Sequence, residues 1–456
     1  MKTSRVYTQH IKRRRRSKAK KKLRNAEKLQ KGQRLVLQLY RTILHFWPDF
    51  FDRLREISDP RNRSDYELAE LIFAGLAMLV LKKGSRNAFN NDRQEGQFKR
   101  NYRRIFKLRF PHMDTVNAVM RHLDEQELEA LKTGLVRRLI EKKVFHKFRF
   151  LGKYFLVVVD GTRVMNVKKG HCAHCLYTTS KKGKVSYFHN VLEAKLVCEN
   201  GFCISLGTEW IENPEGEFDK QDCERKAFVR LAERLKKAFP RLPICIVADA
   251  LYPNQPFFDI CQKYGWQWIV TFKDGNLPSV WEEVVGLKKR THQNTRIVRQ
   301  VGKELYYTWI NDIEYRGHRL HWFECVEQVQ ETSTRFVYVS NLKIDYWNVL
   351  EMTVSGRLRW KIENEGFNIQ KNLGYGLTHK YSRTSMQATK NYYQCMQIAH
   401  LINQLLELSD WFQSLLTGKM TLKHLWNRLT GALAHYTFEA QEVEAWVQTK
   451  CQFRFG

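Results

Sequence analysis

The feature that most constrains this chain is an apolar run that ends on an acid. Residues 155–159 read Phe-Leu-Val-Val-Val and are followed by Asp160, Gly161 and Thr162. An uninterrupted run rich in β-branched residues predicts a strand buried on both faces, as found inside α/β sheets. A carboxylate at its end has two readings. Asp-Gly between apolar runs is a hairpin signal; equally, an acid held at the rim of a sheet is a candidate for metal binding or catalysis.

The chain that follows repeats the pattern. Strand-like segments at 186–197 and 202–210 lead to an amphipathic helix over 220–239, with Phe228, Leu231, Leu235 and Phe239 on one stripe. The next apolar run, 244–248, also ends on an acid, Asp249. The order is β-β-β-α-β, with acids closing the first and fourth strands. Taken alone, Asp249 would serve equally well as a loop or helix-capping acid. A helix over 257–264 and a strand over 266–272 come next. Residues 275–330 then alternate polar and apolar with many aromatics, which predicts an antiparallel insert with its own small hydrophobic face. The core resumes with a strand at 336–340 and a helix over 349–373. On that helix Leu358, Ile362, Ile369 and Leu373 form one stripe and Trp360 and Phe367 another. Glu363 falls beside Arg359 and Gln370, whereas Glu365 projects into the aliphatic stripe. Arg and Glu four residues apart are ordinarily a surface ion pair, yet a helix that follows a core strand can carry Glu363 to the two strand-end acids.

Charge narrows the partner. The chain has 78 Lys and Arg against 47 Asp and Glu, a formal charge of +31, which points to a polyanion such as nucleic acid. Residues 2–34 hold fifteen of those cations, including Arg13, Arg14, Arg15 and Arg16, against the single acid Glu27. A block this dense repels itself and is expected to be a disordered arm until a polyanion neutralises it, the alternative being a solubilising tail. From 35 to 147 the periodicity is helical, with a capping box expected at Ser64 and Glu67 ahead of the apolar run 68–81. That run is too short to span a bilayer. Arg100, Arg103 and Arg104 belong to a segment in which cations alternate with Phe89, Phe98, Tyr102 and Phe106. Such a mixture suits a DNA-facing surface, where rings stack or wedge; it also suits an amphipathic helix with a basic outer face. Residues 385–456 are helical again and read as a scaffold or oligomerisation set.

Ten scattered cysteines with no secretory signal ahead of them read as reduced thiols of a cytoplasmic protein. His171, Cys172, His174 and Cys175 supply zinc-ligand types, but four ligands within five residues can hardly close a tetrahedron round one ion, so zinc at Cys172 and Cys175 is not expected.

Three carboxylates that converge cannot all stay ionised without a cation. Two Mg²⁺ or Mn²⁺ ions held by Asp160, Asp249 and Glu363 would satisfy them and support in-line attack on phosphorus. At this point the chain resembles the DDE transposases of bacterial insertion sequences. The resemblance rests on the β-β-β-α-β order, the acids Asp160 and Asp249, a β-rich insert, and a final helix bearing Glu363. Members with an insert mark the third acid by Tyr-x2-Arg-x3-Glu-x6-Lys; Arg359 and Glu363 match, while Gly356 fills the Tyr slot and Gln370 the Lys slot, with Lys371 next to it. The wording Trp-x-Ile-Glu-Asn at 360–364 is also similar. The resemblance implies an α/β fold with an RNase H-like mixed sheet and flanking helices, interrupted by the antiparallel β insertion, plus an α-helical N-terminal domain. The resemblance covers about 150–380; taken with the charge and periodicity above, it divides the chain into an arm at 1–34, a helical DNA-binding domain at 35–147, the catalytic core at 148–274 and 333–384 around an insertion at 275–332, and a helical region at 385–456. It implies cleavage of element ends and their transfer to target DNA by a homodimer or higher oligomer that binds terminal inverted repeats, with no membrane role. Arg359 would contact DNA phosphate and Lys371 would do the work of the usual Lys. Glu365 is the rival to Glu363. A non-catalytic DNA-binding protein descended from such an enzyme, or another RNase H-like nuclease, are the alternative readings.

Overall fold

The computed structural model describes residues 27–62, 64–167, 172–290 and 293–456. These fall into two compact units, one built from the chain up to Glu127 with 373–375 and 387–456, the other from 128–372 and 376–386.

The first unit is helical, and both ends of the chain contribute to it. Its hydrophobic centre is the helix Leu68–Val80, every residue of which is buried. Its N-terminus is capped one turn later than the sequence suggests. Glu67 is the N-cap and forms a reciprocal capping box with Glu70, while the Ser64 hydroxyl donates to the Tyr66 carbonyl at 2.9 Å. Glu70 is buried and tolerates it because its carboxylate accepts from both the backbone N–H and the guanidinium Nε of Arg109, each at 2.9 Å. The helix Gly96–Phe106 is joined to the C-terminal segment by Asn101, whose amide donates to the Leu433 and Tyr436 carbonyls at 2.8 and 2.5 Å.

The second unit is mixed α/β and carries one ten-stranded open sheet. Its strands are β1 Phe155–Val167, β2 Leu176–Thr179, β3 Val185–Val197, β4 Cys203–Ile211, β5 Ile244–Ala248, β6 Gln267–Thr271, β7 Thr295–Gln300, β8 Lys303–Tyr315, β9 His318–Val329 and β10 Thr332–Ser340. The spatial order is β2-β3-β1-β5-β6-β10-β9-β8-β7, and β4 pairs with β3. β1 is antiparallel to β3 and parallel to β5, and β5 is parallel to β6. The apolar runs of β1 and β5 sit in the middle of this order, where both faces are covered, which is why neither alternates.

Residues 275–332 have hydrophobic contacts of their own, with Trp281 edge-on to Trp322 at 6.1 Å, but they do not form a separate sheet. They open with a helix, Pro278–Lys288, and then extend the main sheet, because β10 pairs with β9 on one edge and β6 on the other. A long antiparallel hairpin can satisfy its inner edge most completely by joining the sheet already present. Among the described residues no helix is long and apolar enough to cross a membrane.

Candidate functional site

The parallel pairing of β1 with β5 runs from Phe155 opposite Ile244 to Val158 opposite Val247 and stops. The antiparallel pairing of β1 with β3 continues, through Asp160 opposite Glu193 and Gly161 opposite Leu192, as far as Val167. The Asp160-Gly161 pair is therefore in mid-strand, and the turn reading is overturned. Side chains alternate along a strand, so continuing the β1–β5 register places Asp160 level with Asp249 and on the same face. Asp249 is the first residue beyond β5, where its Oδ1 accepts from the Leu251 backbone N–H at 2.9 Å.

Gly161 has a different task from the one the sequence suggests. A Cβ at this position would come 2.3 Å from Oε1 of Glu224. Glu224 opens the helix Glu224–Ala238, and the missing side chain lets its carboxylate approach the strand beside Asp160. This fourth acid was not singled out from sequence; its one signal is an acid in a helix's first turn, which ordinarily reads as a cap.

The third sequence-predicted acid comes from a helix that is not continuous. Val349–Arg357 is α-helical, and after a break the chain forms a π-helical turn, Ile362–Asn368, before a last short segment, Ile369–Asn372. A π turn inserts an extra residue and rotates everything beyond it. The buried line consequently passes through Ile362, Gly366, Phe367 and Gln370, while Leu373 and Trp360 of the expected stripes are exposed. Gly366 lies in this line because a Cβ would sit 3.1 Å from the Cys203 sulfur. The two rival acids separate at the same turn. Glu363 Oε1 accepts from Nη1 of Arg359 at 2.8 Å, and that same nitrogen lies 3.4 Å from Asp160 Oδ2. Glu365 turns instead to Lys361, 3.0 Å away.

Asp160 is thus within the field of several like charges. Burial pushes its carboxyl up to about 7, Arg359 opposes that, and Glu363, Glu224 and Asp249 add to it. Burial and then Asp249 raise Glu224 as well. On β3, Glu193 is fully buried opposite Asp160 and accepts from the Thr208 hydroxyl at 2.6 Å. Thr208 in turn accepts from the buried Lys132 ammonium at 3.0 Å, so a buried polar chain runs from Lys132 to Glu193, whose Oε2 has no hydrogen-bond partner among the described residues.

A cavity of about 720 Å³ opens beside Asp249 and Arg359, with Lys273, Arg335, Tyr338 and Trp360 on its walls. Trp360 is 54% exposed, and the Arg359 guanidinium lies 4.7 Å from its ring centre. Gly356, which fills the Tyr slot of the motif, is pressed against Tyr338: a Cβ there would meet the phenol ring at 2.6 Å. Lys371 is half-buried in the last helical segment and Gln370 fully buried.

The other basic candidates lie in the helical unit. Arg100 and Arg103 are exposed, whereas Arg104 is engaged with the Phe438 carbonyl and Glu439. The interleaved rings are core residues: Phe89, Phe98, Tyr102 and Phe106 are all buried, and Tyr102 stacks on Phe110 at 4.5 Å. Rings so placed cannot wedge into DNA, and the amphipathic reading of this segment replaces the stacking one. Arg13, Arg14, Arg15 and Arg16 lie outside the described residues.

The described residues also contain a group of side chains whose donor atoms all lie within 4.8 Å of one another, namely Cys172, Cys175 and His189. The carboxylates at 160, 249 and 363 are not gathered so closely. Comparison with known proteins finds no matching family model and no curated protein of significant similarity.

Proposed function

We propose that this chain is a metal-dependent DNA transposase of the DDE type, cleaving the ends of an insertion sequence and joining them to target DNA. The observation that carries the reading is the Arg359 bridge, which brings Glu363 from a distant helix to Asp160, on the face shared with Asp249. Two features of the sheet support it. The order β4-β3-β1-β5-β6, antiparallel through its first three strands and parallel through its last three, is the arrangement expected of an RNase H-like core. The β-rich segment enters between the second and third acids.

The donor set suits the cofactor. Carboxylate oxygens are hard ligands that fit Mg²⁺ or Mn²⁺, and burial, reinforced by Glu363, Glu224 and Asp249, lifts Asp160 to about 7, a cost to its ionised form that a divalent cation relieves. Asp160, Asp249 and Glu363 would hold the ions, with Glu224 close by. When bound, such ions activate a water or 3′-hydroxyl for in-line attack on phosphorus and stabilise the leaving oxygen. The chain's own residues do the rest. Arg359 bridges two of the acids and, with Lys273 and Arg335 on the cavity wall, offers cations to the phosphate backbone. Arg100 and Arg103 offer exposed charge on the helical unit, and the basic block at 2–34 adds a large electrostatic attraction to duplex DNA. Lys371 stands in for the Lys of the motif.

The test is direct. Purified chain is incubated with duplexes carrying the terminal inverted repeats that flank its gene, with Mg²⁺ or EDTA. Transposase chemistry gives cation-dependent cuts at the repeat ends and joining of the 3′ ends to a second duplex, assembled on a dimer or larger species. Binding without cutting would leave a DNA-binding protein, and cutting of RNA or junctions alone would leave another RNase H-like nuclease.

A further inference from the structure

The sequence places Cys172 and Cys175 in a tight Cys-x2-Cys loop, and the fold brings a third ligand type to it from elsewhere. His189 lies on β3 at the register position opposite Met165 of β1. Its Nε2 is 3.2 Å from the Cys175 sulfur and 3.6 Å from that of Cys172, and the two sulfurs are 3.9 Å apart. Ligands tetrahedrally arranged about zinc, with Zn–S near 2.3 Å and Zn–N near 2.0–2.1 Å, stand about 3.8 Å apart for two sulfurs and about 3.5 Å for sulfur and nitrogen. The three donors of this loop already have nearly those separations.

The surroundings hold the arrangement. The Cys175 N–H closes a turn onto the Cys172 carbonyl at 3.4 Å, and the His174 backbone N–H donates to the Cys172 sulfur. His174 lies outside the cluster: its Nδ1 is 2.9 Å from the Asn213 carbonyl oxygen and its Nε2 is 3.5 Å from Glu215. Asn213 is buried and also donates its amide to the Cys175 carbonyl at 2.9 Å. Cys175 and His189 are buried and Cys172 is half-buried, so a fourth position toward Cys172 can be taken by solvent. The cluster therefore has two soft thiols, an imidazole and a fixed loop, which is the chemistry of a zinc centre rather than of a magnesium one.

We propose that Cys172, Cys175 and His189 bind one zinc ion, which fastens the Cys172–Cys175 turn ahead of β2 to strand β3. Binding releases the two thiol protons to solvent and leaves the sulfurs as thiolates. The ion would pin the far half of the β1–β3 pair whose near half presents Asp160, independently of what chemistry the acids perform.

The experiment uses the full-length chain purified under reducing conditions from zinc-supplemented cells. Elemental analysis should find about one zinc per chain. After removal of the zinc, Co²⁺ should restore the site and give visible d–d bands together with a near-ultraviolet thiolate-to-cobalt charge-transfer band. Cys175→Ser and His189→Gln should each weaken cobalt binding by at least about tenfold, while Cys451→Ser, outside the cluster, should leave the spectrum unchanged. Zinc and cobalt measurements on the unsubstituted chain decide the matter even where a variant fails to fold. Metal-free chain with no cobalt–thiolate band, or a Cys172–Cys175 disulfide in freshly purified protein, overturns the proposal.

Discussion

The same pair of strands, β1 and β3, carries two clusters of ligand-type side chains, and they are built in opposite ways. Around Cys172, Cys175 and His189 the donors are soft, few and already at contact separations of 3.2–3.9 Å. Two sulfurs and an imidazole tolerate that crowding better than carboxylates do, so the loop can fold before any ion arrives. Around Asp160 the donors are carboxylates drawn from β1, the end of β5 and two helices, and they repel. They are held apart, with Arg359 between Asp160 and Glu363. Crowding four acids would cost far more than the fold can supply without a cation. The difference is what the two proposals require of the fold: a structural ion suits donors gathered in advance, whereas a catalytic cation site suits acids that stay apart until the ion binds.

The sharpest way to break this comparison is to remove one acid of the ring. Glu363→Gln keeps size and loses charge; cleavage of repeat ends, followed on labelled duplexes, should fall by about a thousandfold or more, the scale on which essential catalytic groups act. Asp160→Asn and Asp249→Asn should behave alike, with DNA binding by mobility shift preserved. Glu365→Gln should stay within about threefold of the parent, because Glu365 faces Lys361 and not the ring. Full activity in Glu363→Gln with loss in Glu365→Gln would reverse the choice of third acid.

The second expected effect concerns the cation inside the ring. Arg359→Ala leaves Asp160 and Glu363 facing each other without compensation and takes a cation from the cavity wall. Cleavage should drop by about ten- to a hundredfold, on the scale of losing a charged hydrogen bond of about 1.5–3 kcal/mol. Arg359→Lys should recover only part of it, since one ammonium cannot reproduce the guanidinium fork. Rates for both variants over a range of Mg²⁺ concentrations check this, and an unchanged rate in Arg359→Ala removes Arg359 from the site.

The third prediction tests Gly161. Gly161→Ala brings a methyl to 2.3 Å from Glu224 Oε1, so the chain should lose about 1–3 kcal/mol in urea unfolding. Adding Glu224→Ala should restore most of that loss if the clash is its cause. A Gly161→Ala chain as stable as the parent means that Glu224 does not occupy that space.

What could be read from sequence, and what could not, divides along the same line. Continuous apolar runs made β1 and β5 legible as central strands, and the acids after them stood out because burial makes a carboxylate conspicuous. The course of the chain beyond Asp160 was not legible, because whether Asp-Gly turns depends on a partner strand distant in sequence, and here β3 pairs with β1 as far as Val167. The π turn at Ile362–Asn368 was hidden for a similar reason. Helical periodicity assumes 100° per residue, and a single inserted residue displaces the buried line from Ile369 and Leu373 to Phe367 and Gln370. The Cys172 loop looked incomplete because its third ligand type sits across a strand pairing that no local pattern announces. The rings at 89–106 were legible as aromatic but not as buried, since alternating cations leave either face free to turn inward.

The smallest effect is on pH and follows from the burial of Asp160, reinforced by the neighbouring acids. Asp160 is raised from 3.8 to about 7 in the folded chain, so between those values the folded protein holds a proton that the unfolded chain has released. Stability from this group is then fully present below the unfolded value and is lost as pH rises through about 7. In EDTA the chain should therefore weaken between about pH 5 and about pH 8, by roughly 1–3 kcal/mol attributable to this carboxyl. Asp160→Asn, which cannot ionise, should lose correspondingly less over the same interval, and thermal unfolding of the two proteins side by side measures the difference. Saturating Mg²⁺ should close most of that gap at the upper pH by compensating the ionised ring, while zinc at the Cys172 loop, whose donors do not include Asp160, should shift both proteins equally. A gap that Mg²⁺ leaves untouched would mean that the ring of acids is only an ion-pair network and not a cation site.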